Sequence, residues 1–414
     1  MSRAALLLSA LLAASPAGAE MDLGDADVPA EDAPLPERLA DSYAAFAVGD
    51  ASLTESLRAM YALDYAKAEA LSDAFRTRLP DNPYGELFLS GQLWWRSATE
   101  NLTAEDDEEL AKRFDRHSRA AVSKSKRLFK APKDRVRAEA YFVAGMSLGV
   151  RGQWRLTNGQ YFKAYLDGKK AIKYLKKCVE IDPDFHDAYL GLGIFDYQAA
   201  VLPGVLRLGA LLLAKGDRER GLERIQRAID KGQFANRQAA SFLLTIYQTG
   251  EKDAAKALAL TRRMQKDFPD SVYYHGVEGA MAAANGDMPA ALTAWSAAYT
   301  TLAADPAALR KKGWGVMCGS WGSDCVSEGR LVAAEAWTTW ALTAPNPAAA
   351  PGWTSALHLV RGFSRDGRRR IKEAREDYQA VLADAHAPAP LKDLASQCLR
   401  QSCDPKRLIS LRRT

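Results

Sequence analysis

Residues 279–298, GAMAAANGDMPAALTAWSAA, repeat the spacing of residues 209–228, GALLLAKGDRERGLERIQRA. In each copy a glycine (Gly279, Gly209) is followed by a Gly-Asp pair (Gly286-Asp287, Gly216-Asp217). A small residue with leucine comes next (Ala291-Leu292, Gly221-Leu222), then a bulky side chain (Trp295, Ile225), then alanine (Ala298, Ala228). The copies lie 70 positions apart, which leaves room for one more unit of about 34 residues, the period of helix–turn–helix repeats. Leu244, Ala257, Leu258, Leu260 and Met264 supply that unit, and Pro269 closes it.

Each position has a physical role. A glycine on the first helix lets the second helix approach, and the Gly-Asp pair turns the chain and caps the second helix. Ile225 or Trp295 then fills the space one turn on. Pro183, Pro269 and Pro306 end units where no helix can continue. A single pair buries only part of its apolar surface, so neighbouring pairs must stack.

This pattern resembles the tetratricopeptide repeat family, most strongly over Leu202 to Ala304. Ala171, Leu175 and Cys178 before Asp182-Pro183 are similar to the second helix of an earlier repeat, and Asp187 to Tyr197 to the first helix of the next. Leu202-Pro-Gly-Val-Leu206 followed by Lys215 to Leu222 is similar to a segment of large divergent members, including fungal inclusion-body clearance relatives and exported bacterial proteins. The resemblance implies an all-α, right-handed superhelical solenoid of stacked antiparallel helix pairs. It implies a scaffold and no particular chemistry.

The N-terminus is expected to be processed. Arg3, the apolar run Ala4 to Ala14 and Ala17-Gly18-Ala19 form a signal peptide cut between Ala19 and Glu20, and a stretch of 11 residues is too short to span a bilayer of about 30 Å. From Glu20 to Glu37 there are seven acidic residues, three prolines and no basic residue, a leader that cannot bury enough surface to order itself. Expected segments are therefore a signal peptide at 1–19, an acidic leader at 20–40, divergent helical repeats at 41–135 and central repeats at 136–309. A Gly/Trp/Cys region with one helix spans 310–352, and a helix pair with a capping helix spans 353–414. Long helices are expected over Leu53 to Leu79 and Val136 to Val150, with residues 152–159 as an insertion. The expected location is the periplasm or cell envelope.

Beyond Glu37 the chain carries 55 basic and 44 acidic residues. Clusters at Lys124–Arg137, Lys169–Lys177 and Arg365–Lys372 read as solvated helix faces, with contact to an anionic membrane surface or an acidic partner as the alternative. A nucleic-acid partner is not expected, since that reading wants aromatics interleaved with these clusters on one face and an exported protein rarely meets nucleic acid.

Export also assigns the cysteines. Local disulfides Cys318–Cys325 and Cys398–Cys403 are expected, with pairing across the two regions as the alternative, and Cys178 reads as a small buried thiol. Neither spacing suits zinc. No catalytic constellation, phosphate-binding loop or cofactor motif stands out. The five histidines are scattered, and His275-Gly-Val-Glu278 reads as a helix-surface pair. Six of the nine tryptophans fall between residues 295 and 353; they read as a plug at the end of the solenoid, or as an exposed aromatic loop for a glycan or peptide.

The function expected from these features is capture of a protein or peptide partner without catalysis. An envelope enzyme acting on cell-wall glycan and an outer-membrane assembly factor are the alternatives. In repeats of this kind the first helix of each pair lines the concave side. If Gly193 is equivalent to Gly209 and Gly279, the expected binding residues are Asp187, Leu190, Ile194, Tyr197 and Gln198, then Leu206, Ala210 and Tyr273.

Overall fold

In a computed structural model the described residues are 50–100, 104, 107–201, 216–269, 271–303, 328–346 and 351–404. They are all-helical, with 16 α-helices, one π-helical turn and no strand among them. They divide into two compact units, one within Met1–Trp95 and Glu108–Thr245, the other within Arg96–Asp107 and Ile246–Thr414.

The first unit holds α1 (Ala51–Tyr61), α2 (Tyr65–Arg78), the first part of α3 (Pro83–Glu100), α4 (Glu108–Lys126), α5 (Asp134–Thr157), α6 (Tyr161–Ile181), α7 (Ala188–Val201), α8 (Arg218–Lys231) and α9 (Asn236–Thr245). Short polar residues start several of these helices. Asp50, Asp64 and Asp217 each accept a bond from a first-turn backbone N–H, at Ser52, Lys67 and Arg220, satisfying a donor the helix itself leaves open.

Two local expectations change. The run Leu53 to Leu79 is not one helix, because Leu63 sits at φ 65° and Asp64 caps a new start, so the chain folds back as α1 and α2. Residues 152–157 are not an insertion but the last turns of α5, and the reversal is made by Asn158-Gly159-Gln160, with Gly159 at φ +73°.

Helix α5 packs on α6 in antiparallel order: Gly152 lies against Ala164 and Asp167 near the turn, and Gly145 against Ala171 and Leu175 farther from it. The Asp167 carboxylate, 3 % exposed, takes Arg151 Nη2 at 2.7 Å and Arg155 Nη1 at 2.6 Å. A buried carboxylate without those partners would cost several kcal/mol, so the cluster fixes the register of the pair. Helices α7 and α8 cross the same way, with Ala200 against Gly216, Tyr197 against Gly221 and Gly193 against Ile225. Sequence spacing paired Gly209 with this second helix. Gly193 packs on α8, and Gly209, like Leu206 and Ala210, lies outside the described residues. Leu53, Phe75, Tyr84, Phe142, Leu175, Cys178 and Leu192 share one core.

The second unit holds a π turn at Ile246–Gly250, α10 (Ala254–Asp267), α11 (Val272–Ala284), α12 (Met288–Ala303), α13 (Glu328–Thr343), α14 (Trp353–Gly367), α15 (Ile371–Ala383) and α16 (Ala389–Arg400). Gly286 turns the chain at φ +81°, and Asp287 accepts the Ala290 N–H at 3.1 Å. Trp295 is buried against Gly279 and donates to the Gly276 carbonyl at 3.2 Å, while Gly362 meets Tyr378 in the same manner. Small residue against large side chain is thus the recurring contact. Cys398 and Cys403 are joined by a disulfide, and Cys318 and Cys325 lie outside the described residues.

Candidate functional site

The first unit contains a cavity of about 330 Å³, within the size range of sites that take small molecules or side-chain anchors. Its walls come from six helices. Leu57 and Tyr61 on α1, Phe88 and Trp94 on α3, Phe142 and Met146 on α5, Ile172 on α6, Ile194 and Phe195 on α7 and Phe242 on α9 make it apolar, and Phe234 joins from the turn before α9.

The polar groups on this wall are few. The Tyr61 hydroxyl donates to Gln238 Oε1 at 3.2 Å, and burial pushes the phenol well above its ordinary range, so it stays a neutral donor. Gln153 and Gln198 add amides, and Lys169 is the charged residue of the lining among the described residues.

Three mid-helix glycines, Gly91 on α3, Gly149 on α5 and Gly168 on α6, also line the cavity, and a Cβ built on any of them meets nothing within 4 Å among the described residues. The fold does not need them small. Glycine within a helix costs about 1 kcal/mol relative to alanine, so the three forgo roughly 3 kcal/mol against a typical total of 5–15 kcal/mol. Their effect is to bare helix backbone and widen the cavity.

Of the residues expected at a binding groove, Leu190, Ile194 and Gln198 line this cavity together. Tyr197 is buried where α7 crosses α8. Asp187 is a structural acceptor, its Oδ1 taking the backbone N–H groups of Gln233, Phe234 and Ala235 at 2.9, 2.8 and 2.6 Å. Leu206 and Ala210 lie outside the described residues, and Tyr273 belongs to α11 of the second unit. Spacing alone missed Phe88, Trp94, Phe142 and Lys169. The available signal was Gly145, Gly149 and Gly152 on one helix, more glycine than a helix keeps without reason.

Ionic clusters elsewhere are structural in geometry. Glu86, buried, accepts from His117 and Lys124; burial alone would raise its carboxyl, but those two bonds outweigh it and hold the group at about 2. Asp377 is gripped by His358, Arg361 and Arg365. Among the described residues no three His, Cys, Asp or Glu are grouped to hold a metal ion, and no helix is long and apolar enough to cross a membrane.

No protein-family model matches the chain, and no curated protein is significantly similar to it.

Proposed function

We propose that this chain is an exported helical-repeat scaffold of tetratricopeptide type, a right-handed superhelix, whose first unit captures an apolar segment of a protein partner and performs no catalysis of its own. The observation that carries this is the cavity: six helices converge on one apolar wall with a few amides and one lysine. A binding site of this kind gains affinity from desolvated apolar anchors and orientation from sparse polar groups. The Cys398–Cys403 disulfide supports an oxidising compartment, the periplasm or cell envelope.

The test is capture from envelope extract by the mature chain and by Ile194→Arg, which puts a guanidinium into the apolar wall. A defined set of proteins held by the wild type and lost from the folded variant is the expected result. Capture of the same set by both, or of nothing by the wild type, would contradict it.

A further inference from the structure

We infer that the cavity of the first unit takes an acidic amphipathic helix of its partner, an assignment that rests on the scaffold function proposed above. The described elements are helices, so no strand edge is offered among them for an extended peptide to pair with, and among the remaining modes of peptide recognition an amphipathic helix laid in an apolar groove fits the wall best. Bare glycines suit that mode, because small residues let a helix backbone approach closely and pack its side chains on both sides of the contact. Gly91, Gly149 and Gly168 present such positions on three different helices of one wall.

Charge selects the sign of the partner. Helix α6 carries six lysines, at 163, 169, 170, 173, 176 and 177, against Asp167 and Glu180. Asp167 is taken by Arg151 and Arg155, and Glu180 by Lys177. Tyr165, Gly168, Lys169 and Ile172 of this helix line the cavity. Lys173 and Lys176, both exposed, follow Lys169 at helical spacing along the same flank. That row extends about 10 Å at 1.5 Å per residue. One lipid carboxylate would answer one of these lysines, whereas acidic residues spaced three and four apart on a docked helix answer the row.

The experiment uses the mature chain and two fluorescently labelled 18-residue helices with the same leucine/alanine face, one flanked by glutamates and one by lysines, read by fluorescence anisotropy. The acidic helix is expected to bind about tenfold or more tighter than the basic one, the sum of two or three partly exposed ion pairs, and Lys169→Glu with Lys173→Glu should invert that preference. Gly149→Leu with Gly168→Leu fills the groove at positions with free space, so the fold persists, and binding should fall by about 30-fold or more, as for loss of a central anchor. Equal binding of both helices that is lost in the filled groove overturns the acidic assignment and leaves the groove function standing. Binding that survives the filled groove overturns both. Sodium palmitate that displaces the acidic helix and prefers the wild type to Lys169→Glu would assign the groove to a lipid chain and also overturn the inference.

Discussion

Gly193 on α7 faces Gly221 on α8 so closely that a Cβ on Gly193 would stand 2.7 Å from the Gly221 carbonyl oxygen, and one on Gly221 would stand 2.5 Å from the Tyr197 backbone nitrogen. Backbone cannot yield as a side-chain tip can. Gly221→Ala should therefore destabilise the protein by about 3 kcal/mol, the cost of forcing a methyl group into a filled crossing. Urea denaturation measures it; a change below about 0.5 kcal/mol, the range of ordinary surface substitutions, would show that α7 and α8 stand farther apart.

The groove glycines should behave in the opposite way. Gly149→Ala and Gly168→Ala add a methyl group to empty space, so each should raise stability by about 0.5–1 kcal/mol through helix propensity and a less flexible unfolded chain. A loss of stability would mean that the cavity wall is packed.

Glu139 on α5 is fully buried, accepts from Arg135 Nε at 3.1 Å through one oxygen, and is pushed up to about 7, by burial first and then by Asp182. A carboxyl raised in the folded state holds its proton there while the unfolded chain releases it near 4.5. Stability is therefore lost as pH rises from about 4.5 to about 7 and is level above that window. Glu139→Gln should remove the loss, gaining about 2–3 kcal/mol at pH 8 and nothing at pH 4. Parallel stability curves for the two proteins across this window would refute it.

Much of the fold was legible in the sequence because its contacts repeat. Gly279 with Trp295, and Asp217 and Asp287 as caps, can be read from spacing, since a small residue and a bulky one must meet wherever two helices cross. The partner of α8 was not legible. The packing of Gly193 on Gly221 and Ile225 is set by an approach of two backbones that spacing along the chain does not report. At the site, Leu190, Ile194 and Gln198 could be read from one helix face, but Phe88 and Trp94 come from a helix about a hundred residues earlier. No local period reports that convergence. Tyr197 and Asp187 share α7 or its entry with the groove residues, yet burial and three backbone donors hold them to the core.

The cysteines give a chemical test. Reducing Cys398–Cys403, five residues apart in sequence, should cost about 2 kcal/mol, the chain entropy of so short a loop. Cys178 is buried and its thiol is pushed far up, by burial first and then by Asp182, Asp187 and Glu139, so it should react with Ellman's reagent only on unfolding. Rapid modification of Cys178 in the native protein would contradict its place in the core.

The most direct test of the central claim is site-specific photo-cross-linking in cells expressing the full chain, with p-benzoylphenylalanine placed at Gln198 or Lys169 on the groove wall, or at Phe162, which is 54 % exposed on α6 and outside the lining. A discrete protein adduct from both groove positions and none from Phe162 is the predicted result; no adduct from the groove, or the same adduct from Phe162, would contradict capture of a partner at this site.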